Sequence, residues 1–180
     1  MNELPELLER FRRGAELLSM ATTGAAGPEL DFKPGEGKWS VRQIVCHLAD
    51  IEAACIVRFR QVIAEDDPFM PGLKGELWAD HLDYDKRKIS PMLEIVRVLR
   101  ASNYELLKSL PEETFARTGT HGELGKVTLL DLLRTYAEHM EGHVRQIQTT
   151  RAAYRENKAK LAAAAAEKPS PSPTPASPPE

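Results

Sequence analysis

Four stretches of this chain repeat apolar side chains at the spacing of an α-helix, and three of them open on a residue suited to capping one. The first covers residues 3–20, with Leu4, Leu7, Leu8, Phe11, Ala15 and Leu18. The second follows Ser40 and Gln43, the two partners of a capping box, and carries Ile44, Val45, Leu48, Ile51, Cys55, Phe59, Val62 and Ile63 to about residue 64. The third is opened by Ser90 as N-cap with Pro91 behind it, and runs through Leu93, Val96, Leu99, Leu106 and Leu107 to about residue 109. The fourth follows Thr128, with Asp131 in the acidic place of a capping box, and carries Leu129, Leu132, Leu133, Tyr136, Met140, Val144 and Ile147. Segments rich in glycine and proline separate them, and Leu77 to Tyr84 reads as a short helix or an irregular lid. No stretch competes as a β-strand. The expectation is an all-α fold, a four-helix bundle with long connections.

The bundle domain is expected over residues 1–155 of the 180. Residues 156–180 read as a helix extension through Ala162–Ala166 and then a disordered tail, because Pro169-Ser170-Pro171-Ser172-Pro173-Thr174-Pro175 has no apolar face to bury. The formal net charge is −3 with no basic stripe, which argues against a nucleic-acid partner. The longest apolar run, Leu161 to Ala166, is far short of a membrane span. The acidic start Asn2-Glu3-Leu4-Pro5-Glu6 lacks the basic and apolar regions of a signal peptide. Cys46 and Cys55 share one predicted helix, ~13.5 Å apart by helical rise, too far for a disulfide. These features together predict a reduced, cytoplasmic protein.

The chemistry concentrates in histidines. His139 and His143 stand one turn apart on one face of the fourth helix, so both imidazoles can reach one point. His47 lies beside the apolar stripe of the second helix, about two turns past its cap. Three imidazoles would hold a divalent metal and leave a coordination position open, the arrangement of catalytic sites. Met140 follows His139, so this is not the H-E-x-x-H protease signature with its glutamate base. Glu138 and Glu141 point off the histidine face. Asp50, one turn beyond His47, is the candidate catalytic residue, placed to orient an imidazole or accept a proton; a solvated helix-face role is the alternative.

Two segments carry a family resemblance. Trp39-Ser40-Val41-Arg42-Gln43-Ile44-Val45-Cys46-His47-Leu48-Ala49-Asp50 resembles the first metal motif of the DinB-like superfamily, and Tyr136-Ala137-Glu138-His139-Met140-Glu141-Gly142-His143-Val144-Arg145-Gln146-Ile147 resembles its second. Glu76-Leu77-Trp78-Ala79 and His121-Gly122-Glu123-Leu124-Gly125-Lys126-Val127-Thr128-Leu129 look like the branch containing bacillithiol transferases and proteins labelled metal-dependent hydrolases. The resemblance spans about residues 5–152. It implies an up-down-down-up bundle, zinc or nickel held by His47, His139 and His143, and a homodimer in many members. Some members transfer a low-molecular-weight thiol to an electrophile. The function expected is therefore metal-dependent thiol transfer to a small molecule. Hydrolysis by a metal-activated water, or binding without catalysis, remains open beside it.

Other candidates are weaker. His121 reads as a surface-loop histidine, with lining of the site mouth as the alternative. His81 reads as a lid or surface residue, and Trp78 as core packing or a pocket cover. Gln146 is placed to hydrogen-bond within the bundle, and Cys46 reads as a small buried residue.

Overall fold

The computed structural model describes residues 3–166. The four predicted helices are present as α1 (Leu4–Thr22), α3 (Val41–Ala64), α5 (Ile89–Lys108) and α6 (Leu129–Ala166). Between them lie the single turn α2 (Pro28–Asp31), the short helix α4 (Gly75–His81), two 3-10 turns (Tyr84–Lys86 and Glu112–Ala116) and three short strands. The tail expected to be disordered falls outside the described residues, while the helix extension is seen as α6 runs on to Ala166.

Side-chain pairings give the helix directions. Glu3 meets Arg134, Arg10 meets Glu141, and the Ala21 carbonyl accepts from Arg151, so α1 and α6 run parallel. Glu52 meets Arg100 and Arg60 meets Asn103, so α3 and α5 also run parallel. Arg58 meets Tyr136 and His47 meets His139, so α3 and α6 run antiparallel. The topology is the up-down-down-up bundle. Each long helix packs mainly on two others, in the ring α1–α6–α3–α5. The chain therefore crosses the bundle diagonal between α1 and α3 and between α5 and α6, which is why those connections are long.

Caps decide where two of these helices begin. Ser40 Oγ accepts from the Gln43 N–H, and Gln43 Oε1 accepts from the Ser40 N–H, completing the expected box at α3. Thr128 and Asp131 make the equivalent exchange at α6. Ser90 is not the cap of α5. That helix begins at Ile89 after Lys88, which makes no side-chain cap, and Ser90 and Pro91 sit inside the first turn. Proline is tolerated there because first-turn N–H groups have no intrahelical acceptor.

The expectation of no strand is corrected. β1 (Phe69–Met70) pairs in parallel with β2 (Thr118–His121), which forms an antiparallel hairpin with β3 (Gly125–Thr128). The strands have 2, 4 and 4 residues, too short to display an alternating pattern. One buried position of β2 is Gly119, where a side chain would meet Met70 Cε at 3.0 Å and the Pro68 carbonyl at 3.1 Å. The hairpin signal was the Gly-bearing turn between Gly119 and Val127. This sheet caps one end of the bundle and brings His121 inward.

The apolar core has two large clusters, one around Leu7, Phe11, Phe59, Leu107 and Leu133, the other around Leu18, Ile44, Leu48, Val96 and Val144, and a small third one of Cys46, Ala79 and Tyr84. Between the two large ones a charged pair is buried. Arg100 donates from Nε and Nη2 to Glu52 Oε1 at 2.9 and 2.5 Å, from Nη1 to the Phe11 carbonyl at 2.9 Å, and from Nη2 to the Tyr136 carbonyl at 3.3 Å. One guanidinium thus touches all four long helices. Gly14 makes room for it: a Cβ there would lie 2.3 Å from Arg100 Nη1. Removing one partner of such a pair strands the other charge in the core. Arg100→Met should lower the unfolding free energy by ~3–5 kcal/mol, and Arg100→Met/Glu52→Leu should recover most of that loss. Urea unfolding of the two variants checks it; equal losses would show that burial of Glu52 is not what costs.

Candidate metal centre

Two helices bring three imidazoles to one point. His47 faces inward from α3 because the capping box fixes that helix's start and His47 then falls on its buried side, 8 % exposed. His139 and His143 share the face of α6 that meets α3. The His139 Nε2 atom lies 3.3 Å from His47 Nε2 and 3.2 Å from His143 Nε2. A ring nitrogen has one in-plane lone pair or one hydrogen. His139 Nε2 can satisfy one of these neighbours by an N–H···N bond, and not both. Nitrogens held at ~2.0–2.1 Å from a tetrahedral ion stand ~3.3–3.4 Å apart; the two separations from His139 match two edges of such a site, and one ligand atom from each of the three rings lies within 4.8 Å of the others. The donor set fits the expected group.

The tautomer of one ring is fixed. His143 Nδ1 lies 2.8 Å from Gln146 Oε1, an acceptor, so Nδ1 carries the hydrogen and the Nε2 lone pair faces the centre. The bonding role anticipated for Gln146 is thus directed at a histidine. Trp39 packs on the other side, 4.9 Å from His47 and stacked within 9° of His143 at 6.4 Å between ring centres. The backbone of Gly75, at the start of α4, closes over His47: a Cβ there would sit 3.3 Å from its Cε1.

Burial keeps these rings neutral. Desolvation, with a smaller contribution from the neighbouring rings, pushes His47 down to about 3. Desolvation, then His143 and Arg100, pushes His139 down to about 4. Burial also lowers His143, against the pull of Gln146. Neutral imidazole is the form that binds metal.

A cavity of about 210 Å³ opens beside His47 and His139, walled by Ile51, Leu73, Leu124 and Leu132 on its apolar side and by Arg58, His121, Glu123, Thr135 and Tyr136 on its polar side. The surface-loop reading of His121 is corrected: it is 7 % exposed and lines this cavity, because β2 turns it inward. Its Nδ1 faces the backbone N–H groups of Glu123 and Leu124 at 3.2 and 3.4 Å. His81 is an exposed residue, at a shallow surface cleft with Trp78, Leu77 and Leu82. Trp78 is half-buried and packs against Cys46, Ala79 and Tyr84, its core-packing role. Cys46 is buried as expected, and burial pushes its thiol up to about 11.

Asp50 is half-buried one turn from His47, and the Tyr84 hydroxyl donates to its Oδ2. Glu141 pairs with Arg10, and Glu138 is exposed. The sequence reading passed over Arg58. It stands 11 residues from His47, about three turns, and so on the same face; a basic residue in an apolar stripe was the available signal.

The pH dependence follows from the histidine shifts. In metal-free protein the unfolded chain takes up protons on these histidines near pH ~6.5, while the folded rings take them up only toward pH 3–4. Across that window the unfolded state binds more protons, so stability is retained above it and falls as pH drops through it. The melting temperature of chelated protein should fall from pH 7 to pH 4, and His47→Gln/His139→Gln should flatten that slope. An unchanged slope would mean other groups drive it.

A sequence profile of the DinB superfamily matches residues 10–147. A protein of Geobacillus kaustophilus provisionally named a metal-dependent hydrolase is 31% identical over 150 residues, covering 83% of this chain and 84% of its own length. A Bacillus cereus protein with the same provisional name is 31% identical over 123 residues, 68% of this chain and 70% of its own. Among solved structures, Bacillus subtilis YfiT, described as a probable metal-dependent hydrolase with an unusual four-helix bundle topology, superposes with a TM-score of 0.76. That match covers 81% of this chain and 84% of YfiT at 24% identity, a likeness of fold. With the profile spanning most of the folded residues, this chain belongs to the DinB superfamily.

Proposed function

We propose that this chain is a divalent-metal-dependent enzyme in which His47, His139 and His143 hold the ion, zinc or nickel, and the adjoining cavity takes a small-molecule substrate. The observation that carries the reading is the convergence of the three imidazoles beside a cavity, with His139 Nε2 at 3.3 and 3.2 Å from the Nε2 atoms of His47 and His143. A divalent ion with three neutral ligands supplies Lewis acidity, lowering the pKa of an entering thiol or water. The chain's own contributions are positional. Gln146 holds the His143 tautomer. Trp39 and the Gly75 backbone shield the rings from water. Leu73, Leu124 and Leu132 give the electrophile an apolar wall.

In the reading we favour, a low-molecular-weight thiol attacks. A sulfur–carbon bond forms, the bond from carbon to the leaving group breaks, and the thiol proton passes by way of Asp50 to that group. The provisional names of the relatives favour a second reading, hydrolysis, in which water takes the thiol's place. The resemblance also brings a homodimer into this proposal, and the two widely spaced cysteines a reduced, cytoplasmic location. Asp50, one turn from His47, is the proposed proton acceptor, with support of Tyr84 as its structural alternative. Asp50→Asn should lower the rate more than the metal affinity; lost thermal stability with an unchanged rate would assign it to Tyr84.

Purified protein should bind about one zinc or nickel ion per chain, lose it in His47→Ala, His139→Ala and His143→Ala, and bind it ~10–100-fold more weakly in Gln146→Leu. With a panel of thiols and electrophiles, mass spectrometry should find conjugates that disappear on chelation. Hydrolysed electrophile without conjugate would select the second reading. Absence of both in the metal-loaded protein would leave a binding protein.

A further inference from the structure

One cation in the cavity wall has no anionic partner among the described residues. Arg58 is 6 % exposed, and its described bonds go to neutral acceptors: Nη1 donates to the Tyr136 hydroxyl at 2.8 Å and Nη2 to the Pro71 carbonyl. Among the described residues no carboxylate is ion-paired with it. Buried arginine is ordinarily paired, because an isolated buried charge costs several kcal/mol even after relaxation. Glu123 lines the same cavity but is exposed at its mouth and makes no ion pair with Arg58.

The groups beside Arg58 are donors as well. The Tyr136 oxygen accepts from Arg58, so its own hydrogen points elsewhere. His121 presents Nδ1 to two backbone N–H groups, which places the ring hydrogen on Nε2. Both residues line the cavity. The cavity lining therefore includes a guanidinium and two neutral donors, while His47 lies about three turns from Arg58 along α3, ~16 Å by helical rise between their Cα atoms. The cavity is smaller than the ~300–1,000 Å³ of drug-sized pockets, which suits a small ligand.

We propose that Arg58, with Tyr136 and His121, is an oxyanion subsite that binds the carboxylate or phosphate group of a small substrate while its reacting end faces the three histidines. The subsite is a deepening of the substrate-cavity reading above. Its ligand class is a small anionic molecule whose charged group and reacting atom are several bonds apart. Arg58 would bind and orient it without touching the reacting atoms.

Benzoate, phenyl phosphate and neutral benzamide, titrated calorimetrically into the full chain in metal-free and zinc-loaded forms, test this. At least one anion should bind at least tenfold more tightly than benzamide in both forms, and the tighter of the two anions names the class. Arg58→Met should erase the preference and Arg58→Lys should retain part of it, with zinc affinity unchanged in both. Equal affinities in the wild type, a preference surviving in Arg58→Met, or a preference confined to the zinc-loaded form would overturn the inference. Loss of zinc binding with the anion preference intact in metal-free protein would instead sink the metal reading alone. Should Arg58→Met fail to fold, the Arg58 Nε–H resonance of the wild type, assigned through Arg58→Lys, should shift with an anion and not with benzamide. The absence of that shift would overturn the proposal.

Discussion

The register of the bundle depends on the Arg100 guanidinium. Its planar fork sets Glu52, the Phe11 carbonyl and the Tyr136 carbonyl at one level of the molecule. From that level His47 is five residues back along α3, ~7.5 Å. On antiparallel α6, His139 and His143 are three and seven residues beyond Tyr136, ~4.5 and ~10.5 Å in the same direction. His47 therefore comes level with the midpoint of the other two. A slip of one turn between α3 and α6 would separate the rings by ~5 Å and dissolve the cluster. Apolar packing alone resists such slips weakly, because similar side chains recur every turn, whereas a single buried fork admits one register.

The fork has an energetic cost. Both charges are withdrawn from water, and Glu52 Oε2 has no hydrogen-bond partner among the described residues. Burial outweighs the pull of Arg100 and raises the Glu52 carboxyl above its ordinary value. Gly14 adds a second cost, since glycine inside a helix loses ~1 kcal/mol relative to alanine. Both are tolerated at the one layer where the two apolar clusters meet, and that layer lies directly beneath His139. The expense falls where the alignment of the histidines is set.

The helices and the histidine candidates were open to sequence reading because each rests on local signals, whereas the helix directions came only from the family resemblance. Apolar spacing marks the helices, Ser40 with Gln43 and Thr128 with Asp131 mark two starts, and the four-residue interval puts His139 and His143 on one face. The failures share a cause: they depend on what lies across the fold. Ser90 and Pro91 look like a start, yet after the turn ending at Lys86 α5 begins two residues earlier than they imply, at Ile89. The strands are too short to show a period, and without them His121 has no reason to face inward. Gly14 looks like a weak point until Arg100 arrives from another helix. Arg58 was visible as a charge in an apolar stripe, but only the structure shows that it lines the cavity without an ion-paired carboxylate among the described residues.

This division bears on chemistry. The three-imidazole cluster is built by two helices and is legible from two short motifs, and its neutral ligands suit activation of either a thiol or a water equally well. The residues that can separate those outcomes are on the other wall: Arg58 from α3, Tyr136 from α6, and His121 and Glu123 from the hairpin. The hairpin's turn, between His121 and Gly125, is a surface loop, free to change without disturbing the register that Arg100 sets. On the proposed reading, substrate choice lies away from the three histidines, on cavity residues that the same two helices and a loop supply. If the three histidines hold a metal as proposed, the centre accounts for activation of a nucleophile, and the choice of electrophile falls in the same proposal to residues such as Arg58 and His121.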